Sequence, residues 1–369
     1  MDAKAFLSSC IGKVLELKGQ DLILKVGDVP RTRVGHHVVK LAFDPLKEDD
    51  TKALAKSLLN PFLEVKLEKD RSVDFSFSLL GTTQRFRGNA FFQQGTLSLV
   101  IRTLWRTIPN FEELRIPPII GKMALEKSGI ILIAGTVSSG KTTTITAMID
   151  LMNRTVERHI ITIEDPVEYV HEDKKCIFNQ REIGQDANDF NSALRYVVRQ
   201  SPDVVVIGEM RDAETFNFAL GAAEVGRLVI ATVHAKTVVH IFDRVLGFFP
   251  ADERDQVLSH LSFNITCFAS QRLLVCKDGK TLVPAFEILV GNFTMKQLVR
   301  EKKFDKLPQA MRNGASDGMQ TFDQALYKLW EDGMISGEEA LGQAERPQEM
   351  ENQMKGIKID GQASKILGA

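Results

Sequence analysis

A phosphate-binding loop is the first site that the residue types and their spacing indicate. The stretch GTVSSGKT, Gly135 to Thr142, fits G-x-x-x-x-G-K-[ST] and lies between an apolar, β-branched run and a segment of helical period. Glycines let such a loop turn its backbone amides toward a phosphate chain, Lys141 neutralises the β and γ oxygens, and the Thr142 hydroxyl can ligate Mg²⁺. A chance match is the alternative, and both flanks argue against it. The candidate phosphate-binding residues are Gly135, Thr136, Val137, Ser138, Ser139, Gly140, Lys141, Thr142 and Thr143.

Acidic residues follow two further apolar runs. Glu164 and Asp165 come directly after HIITI, where Pro166 stops the strand, and Glu209 comes directly after VVVIG. The place of Glu209 is typical of a Walker B acid, which holds Mg²⁺ through water or orients the attacking water. The alternatives are a solvated turn at Glu164 and, at Glu209, an acid favoured by the positive end of a helix dipole.

A histidine and several arginines complete the set of candidate residues. His234 follows IATV and could sense the γ-phosphate, or it could be a strand-end histidine satisfied by its neighbours. Arg195 and Arg199 are four residues apart, which would place them on one helix face. Each candidate arginine could supply positive charge to a transition state or be an ordinary solvated side chain. The candidates are Arg85, Arg87, Arg102, Arg195 and Arg199.

A parallel sheet is the element that would bring these residues together. Apolar runs begin at Ile130, His159, Val204 and Leu228, and a segment of helical period follows each of them. Runs that are apolar on both faces and alternate with helices indicate a parallel sheet covered on both sides. Because the carboxyl ends of parallel strands share one edge, we expect the four groups to converge there. These are Lys141, Glu164, Glu209 and His234.

The flanking regions have different patterns. From Asp21 to about Thr103, short alternating runs and a helical segment from Lys47 predict an α+β module. Three prolines between Arg106 and Pro118 predict a linker. Residues 252–274 and TFDQALYKLWEDG have helical patterns, with a hairpin-like stretch near residues 282–289. The predicted division is 1–105, a linker 106–118, a second domain 119–342 and a disordered tail 343–369.

Composition excludes several classes of protein. The 369 residues suffice for two to three domains, and 44% hydrophobic with 26% charged residues excludes a disordered, collagen-like or rod-like chain. The net charge of −1 offers no overall attraction to nucleic acid or a membrane surface. Four scattered cysteines predict neither a disulfide framework nor a zinc site, which suits the reducing cytosol. No apolar run reaches the roughly 18 residues of a membrane span, so we expect a chain that is neither secreted nor integral to a membrane.

The combination of motifs resembles the secretion ATPase superfamily of type II secretion and type IV pili. The resemblance covers roughly residues 20–340, and within the superfamily it favours the PilT and PilU branch of pilus-retraction ATPases. Two runs, FFPADERDQVLSHLSFNITCFASQRLL and TFDQALYKLWEDGMISGEEAL, are more similar to the PilU type. The motifs are GTVSSGKTT, TIEDPVEYVHEDKKC, NQRE at residues 179–182, ALRYVVRQSPDVVVIGEMRDAET, ATVHA and GMQTFDQAL.

The resemblance implies an α/β architecture and a role for each matching residue. It implies a PAS-like α+β N-terminal domain, a RecA-like P-loop NTPase domain with a mostly parallel sheet and helical C-terminal region, and ATP held between them. By position, Glu164 resembles the catalytic glutamate of the Asp box and Glu209 the Walker B glutamate. His234 resembles the second His-box histidine. Arg87 and Arg102 resemble the N-terminal-domain arginines that close over the nucleotide.

The resemblance also implies a function. It is that of a cytoplasmic homohexamer at the inner-membrane pilus base, using ATP and Mg²⁺ to power retraction and twitching motility. Its partners would be a membrane pilus platform protein, optionally with a paralogous retraction ATPase, and no nucleic acid. One alternative is a weakly active or inactive ATP-binding accessory subunit that regulates an active ATPase. Another is a pilus-assembly or type II secretion ATPase, which predicts a longer N-terminal extension and often a tetracysteine zinc module.

Three positions depart from the family pattern. Ser138 stands where the family usually has a third glycine, and its Cβ restricts positive φ. Arg227 replaces the first His-box histidine. Lys296, in NFTMKQLVRE, stands at the first arginine of the retraction motif, and lysine cannot reproduce an arginine fork. We therefore expect nucleotide binding to be better preserved than fast turnover.

Overall fold

The computed structural model describes residues 2–35, 37–78, 84–104 and 108–357. The chain divides into two compact units. The first comprises Met1–Ile108, Ile161–Asp173 and Phe178–Tyr196, and the second comprises Pro109–Ile160, Lys174–Ile177 and Val197–Ala369. Two segments of the predicted second domain therefore pack with the first unit, because their side chains bond to its strands. Residues 106 and 107 of the predicted linker and residues 358–369 of the predicted tail lie outside the described residues.

The N-terminal part of the first unit is a six-stranded antiparallel sheet with three helices. The strand order is β3-β2-β1-β6-β5-β4. The predicted helix from Lys47 is confirmed. Acidic residues fill its first turn, where their negative charge interacts favourably with the positive end of the helix dipole. A first helix, capped by Asp2, was not predicted. The elements are α1 Ala3–Glu16, β1 Asp21–Leu24, β2 Arg31–Val34, β3 His37–Lys40, α2 Glu48–Leu58, α3 Pro61–Asp70, β4 Ser72–Ser78, β5 Arg85–Gln93 and β6 Thr96–Thr103.

Five strands of the second unit form the predicted parallel sheet with one antiparallel edge. Their order is β13-β12-β7-β11-β10, and only the β12–β13 pairing among these is antiparallel. Every residue of β7 and β11 is buried, as expected for strands covered on both faces. The elements are α4 Phe111–Leu114, α5 Pro118–Ala124, β7 Gly129–Ala134, α6 Lys141–Thr155, β8 His159–Glu164, β9 Ile177–Glu182, α7 Phe190–Val197, β10 Val204–Ile207, α8 Ala213–Glu224, β11 Leu228–Val233, α9 Val238–Leu246, α10 Arg254–Asn264, β12 Ile265–Val275 and β13 Leu282–Val290.

The unit boundary falls within two of these strands. In the second unit, β8 begins beside β10, where the Asp203 amide donates to the His159 carbonyl at 2.9 Å. Its last four residues, Ile161–Glu164, belong to the first unit together with nearly all of β9 and with α7. Inside the first unit, the Ile183 amide donates to the Glu164 carbonyl at 2.9 Å. The residues after β8 and those after β9 are therefore neighbours.

Two elements in the C-terminal part differ from the sequence prediction. The helical pattern of residues 252–274 continues only to Asn264, and Ile265–Val275 is a strand. It is a strand because β7 on one side and β13 on the other satisfy its backbone hydrogen bonds. A helix in the predicted disordered tail, α15, buries Met350, which stabilises it. The remaining helices are α11 Phe293–Arg300, α12 Leu307–Asn313, α13 Phe322–Glu331, α14 Gly337–Gln343 and α15 Pro347–Met354.

The cysteines and the apolar helices bear on two expectations from the sequence. All four cysteines are buried free thiols, which confirms that they form no disulfide framework. Among the residues that the structure describes, no helix combines the length and apolar character that crossing a bilayer requires.

Candidate functional site

The phosphate loop, residues 135–140, connects the carboxyl end of β7 to the start of α6. Gly135 adopts φ of 155° and Gly140 adopts φ of 87°. A Cβ on Gly135 would lie 2.3 Å from Ser139 Oγ and 2.6 Å from the Gln271 carbonyl oxygen. The loop can therefore close only with glycine there. The Ser139 hydroxyl is buried and has no hydrogen-bond partner among the described residues, which fits a ligand that brings acceptor oxygens.

Ser138 carries the local strain that the sequence predicts. Its φ is 62°, in the left-handed region that a side chain with a Cβ disfavours. The serine adopts this conformation at a cost of about 1 kcal/mol.

Lys141, the first residue of α6, lies over its own loop. Its Nζ donates to the Gly135 carbonyl at 3.0 Å and to the Thr136 carbonyl at 2.9 Å. Burial lowers the pKa of Lys141, and the negative charge of Glu209 partly opposes that effect. Thr142 is exposed and Thr143 half-buried at the same helix start. These positions leave the lysine and the Thr142 hydroxyl available to an anion at the positive end of the helix.

Glu209 and His234 meet at the carboxyl ends of β10 and β11. His234 Nε2 lies 3.1 Å from Glu209 Oε1. Arg211, which the sequence analysis missed, contacts the other oxygen, with Nε and Nη2 at 2.9 and 2.7 Å from Oε2. The only hint in the sequence was that Arg211 comes two residues after Glu209. The second unit therefore brings Lys141, Glu209 and His234 together as expected, and their catalytic roles stay predictions.

A cleft of about 470 Å³ runs along the phosphate loop. Gln271 of β12 supports the loop from below, because its Oε1 accepts from the Thr144 hydroxyl at 2.7 Å and its carbonyl lies under Gly135. Sequence reasoning missed Gln271, since it assigned this segment to a helix. A smaller cavity, of about 290 Å³, lies on the other side of Gly140 and includes the apolar side chains of Ile116 and Leu273. The residues around the larger cleft are Gly135, Thr136, Val137, Ser138, Ser139, Lys236, Gln271, Arg272, Leu273 and Gln343.

Glu164 belongs to the first unit and is held by neighbours on that unit. Its Oε1 accepts from the Thr162 hydroxyl at 2.6 Å and from Gln180 Nε2 at 3.2 Å. Burial raises the pKa of Glu164 to about 7; the two hydrogen bonds oppose this rise, and the charges of Glu168 and Glu182 add to it. A carboxyl group that titrates near neutral pH is suited to exchanging a proton with water. That Glu164 joins the phosphate loop stays a prediction.

The candidate arginines have separate positions. Arg102 Nε lies 2.7 Å from Asp21 Oδ1, and this hydrogen bond raises the pKa of the guanidinium. Arg87 Nη2 lies 3.8 Å from Asp74. The pair Arg195 and Arg199 was expected on one helix face; α7 ends at Val197 and a 3₁₀ turn carries Arg199, so a change of helix type separates them and the shared face stays a prediction. Arg85 is half-buried, and its Nη2 lies 2.6 Å from Oε2 of the buried Glu182.

The other two departures lie away from the loop ends. Arg227 precedes β11, at the strand end opposite to His234, and its carbonyl accepts from the Gly129 amide at 3.0 Å. Lys296 is on α11, and its Nζ donates to the Phe263 carbonyl at 2.8 Å. Neither residue lines the cleft along the phosphate loop.

The residues present fit a magnesium ion that arrives with its ligand. Among the described residues, no three His, Cys, Asp or Glu side chains group closely enough to hold a metal ion by themselves. Mg²⁺ is usually bound by one or two protein oxygens, several waters and substrate phosphates. The Thr142 hydroxyl and the Glu209 carboxylate supply oxygen atoms of that kind, and the Ser139 hydroxyl, which has no partner among the described residues, could donate to a phosphate oxygen.

Comparisons with known proteins agree on one group of relatives. A family model described as "Type II/IV secretion system protein" matches residues 62–341. The "Type IV pilus ATPase PilU" of Pseudomonas aeruginosa is 36% identical over 342 residues, which cover 93% of this chain and 89% of that protein. The "Type IV pilus retractation ATPase PilT" of the same organism is 40% identical over 328 residues, which cover 89% of this chain and 95% of that protein. A crystal structure of the pilus retraction motor PilT with bound ADP has a TM-score of 0.85 at 40% identity, covering 93% of this chain and 98% of that one.

Proposed function

Because this chain belongs to the type II/IV secretion system protein family, we propose that it is an ATPase that powers retraction of a type IV pilus. The observation that carries the proposal is the phosphate loop with Lys141 at its edge and Glu209 beside His234 at the neighbouring strand ends. The PilU and PilT relatives are named as pilus ATPases, which supports the choice of ATP and of the pilus as the load.

Binding begins with an exchange of partners at Lys141. Its two bonds go to neutral carbonyl oxygens of the loop. Phosphate oxygens carry negative charge and make stronger bonds to an ammonium group than carbonyls do. Lys141 would therefore transfer its donors to the β and γ phosphates, and the Ser139 hydroxyl would gain the acceptor that it lacks among the described residues.

Hydrolysis needs a base for the attacking water and charge stabilisation for the phosphates. We assign the base role to Glu164, whose pKa of about 7 lets it accept a proton near neutral pH. Glu209, with His234 against its carboxylate, would orient the site at the terminal phosphate. Bound Mg²⁺ would neutralise phosphate charge, held by the Thr142 hydroxyl and, through water, by Glu209. The proposal keeps the roles that the resemblance implies for Arg87 and Arg102.

A steady-state phosphate-release assay with the purified full chain tests the chemistry. We expect Glu209→Gln to bind ATP with nearly unchanged affinity and to release phosphate at least 100-fold more slowly, because an amide neither accepts a proton nor attracts a cation. Glu164→Gln should behave in the same way. Wild-type turnover in the Glu164→Gln, Glu209→Gln double variant would reject the assignment of both residues.

We further propose that the active form is a ring of six subunits. The named relatives that support this choice are ATPases of pilus machinery, and their close similarity extends over nearly the whole chain. Mass-resolved size-exclusion chromatography with and without ATP should show a hexamer. A monomer at every nucleotide concentration would contradict this part of the proposal.

One observation favours a second candidate function, that of a weakly active accessory subunit. Arg211 already makes two close contacts to Glu209 Oε2. The carboxylate can orient water only at the expense of that pair, which would slow turnover without preventing ATP binding. Tight ATP binding with negligible phosphate release, restored by Arg211→Ala, would support the accessory function over the motor.

A further inference from the structure

Strand β9 presents two side chains of one face to the loop at the end of β8. We call residues 164–171, which begin with the last residue of β8, the Glu164 loop. Gln180 and Glu182 are two residues apart on β9, so they lie on the same face of the strand. Both side chains bond to the Glu164 loop, and each bonds to a different part of it.

Gln180 uses both ends of its amide on the Glu164 loop. Its Nε2 donates to Glu164 Oε1 at 3.2 Å and to the Tyr169 carbonyl at 2.7 Å. Its Oε1 accepts from the His171 amide at 2.8 Å. Only a primary amide offers two donors and an acceptor in this arrangement. Gln180 therefore connects the first residue of the loop to its last residues.

Glu182 attaches the middle of the loop to the N-terminal sheet. Its Oε2 accepts from the Val167 amide at 3.1 Å and lies 2.6 Å from Arg85 Nη2. Ser76 of β4 and Gln185 also donate to this carboxylate, at 2.7 and 2.6 Å to Oε1. Glu182 is almost fully buried, so these bonds are shielded from water. The backbone that carries Glu164 is thus fixed independently of Gln180.

The two hydrogen bonds to the Glu164 carboxylate have the same acceptor atom. Thr162 and Gln180 both donate to Oε1. Among the described residues, no donor bonds to Oε2. One oxygen is therefore held and the other remains able to accept a proton, which is the arrangement that a base requires.

We propose that Gln180 is a positioning residue for Glu164: its amide holds Oε1 and closes the Glu164 loop, and this leaves Oε2 oriented to take a proton from water. The catalytic consequence of this positioning rests on the proposed function, in which Glu164 is the base. The charged groups of this unit that bear on Glu164 are Glu168 and Glu182, with Arg87 near Glu168 and Arg85 paired to Glu182. Gln180 and Thr162 are neutral donors to the Glu164 carboxylate.

The first test is the pH dependence of phosphate release by Gln180→Met. Methionine has a similar length and no donor, so the ionised form of Glu164 loses a hydrogen bond. We expect the midpoint of the kcat–pH profile to rise by about one pH unit. At pH 7, kcat should fall about fivefold and recover by pH 9, while KM for ATP stays within twofold. A loss of kcat that is equal at every pH would indicate a merely structural role and overturn the proposal.

A matched control and a second variant keep the test sharp. Gln348 on α15 also donates to a glutamate, with Nε2 3.3 Å from Glu351 Oε2, and it is exposed. Gln348→Met should leave the profile unchanged. Gln180→Glu keeps an acceptor for the His171 amide but places a negative charge beside Glu164, so its midpoint should rise further than that of Gln180→Met.

A readout without turnover separates this inference from the proposed function. The measurement is NMR on protein labelled with ¹³C at the glutamate side-chain carboxyl. The Glu164 resonance is identified as the one that is missing from the spectrum of the Glu164→Gln variant. Its titration midpoint should be higher in Gln180→Met than in the wild type. An unchanged midpoint would overturn the positioning role. A raised midpoint in a protein that never releases phosphate would contradict the ATPase proposal while supporting the positioning role.

Discussion

The phosphate loop and the Glu164 loop both follow a strand, β7 and β8 respectively, yet they are held in opposite ways. The phosphate loop is shaped by its own backbone, with positive φ at Gly135, Ser138 and Gly140 and with Lys141 bonded to its carbonyls. The Glu164 loop has no such internal lock. It is held by side chains of β9, and Glu182 connects it to Ser76 and Arg85 in the N-terminal sheet.

This difference explains why the two loops respond differently to sequence change. A loop fixed by its own φ angles needs particular residues at consecutive positions, and these appear as a motif. A loop held by side chains from other elements depends on residues that are far away in the sequence. Glu182, which holds the Glu164 loop, is itself paired with Arg85, more than 90 residues earlier in the chain. Substitutions at such partners should affect the Glu164 loop and spare the phosphate loop.

The largest expected effect is on ATP affinity, which should depend on the phosphate loop and not on the Glu164 loop. Lys141→Ala should weaken ATP binding at least 100-fold, because the lysine supplies the charged donor for the β and γ phosphates. Glu164→Gln should change ATP affinity less than threefold, since its role is confined to the chemical step. Isothermal titration with a non-hydrolysable ATP analogue measures both. An equal loss of affinity in the two variants would show that the loops act as one binding site.

The second effect concerns stability and the ion pair that Arg85 forms with Glu182. Arg85→Met leaves a buried carboxylate without its cation, so we expect the free energy of unfolding to fall by about 3 kcal/mol. In the second unit, Arg154→Met should cost less, about 1 kcal/mol, because Lys174 Nζ remains 3.1 Å from the shared partner Asp150. Urea unfolding followed by hydrogen exchange assigns each loss to its unit. The Arg85→Met, Glu182→Gln double variant should recover most of the first loss, because glutamine removes the buried charge and its carbonyl oxygen can still accept from the surrounding donors.

The third effect is pH-dependent and concerns a buried acid with no close cation. Glu287, 1% exposed, accepts from the Val238 amide at 2.6 Å. Burial raises its pKa from 4.5 to about 7, the nearby charges of Glu345 and Asp323 add to this rise, and Arg272 opposes it. The folded state therefore holds this proton more tightly than the unfolded state, and stability from this group is lost as the pH rises from about 4.5 through about 7.

Glu287→Gln removes this loss because glutamine is neutral at every pH and its carbonyl can still accept from Val238. We expect a gain of about 2 kcal/mol over the wild type at pH 8 and nearly none at pH 4.5. Exposed Glu331→Gln is the matched control and should show no such trend in urea titrations. A gain of equal size at both pH values would mean that Glu287 is ionised throughout.

The same contrast determines how much could be predicted from the sequence. The strands β7, β8, β10 and β11 and the phosphate loop follow from local patterns, namely runs that are apolar on both faces and glycines at fixed offsets. The roles of Gln271, Arg85 and Ser76 could not be predicted, because each depends on a contact 97 to 127 residues away along the chain. For the same reason β12 was predicted as helix, since its neighbouring strands decide its conformation.

The smallest expected effect returns to the phosphate loop and tests whether its shape is intrinsic. Ser138→Gly removes the penalty of about 1 kcal/mol for a Cβ at φ of 62°, and the added freedom of glycine in the unfolded chain offsets part of that gain. We expect a net gain in stability of about 0.5 kcal/mol in urea unfolding without nucleotide. Val137→Gly, at an exposed neighbour without positive φ, incurs the entropy cost alone and should lose a similar amount. If Ser138→Gly instead destabilises the protein, the serine hydroxyl rather than the backbone angle holds the loop, and the phosphate loop would then resemble the Glu164 loop in depending on side chains.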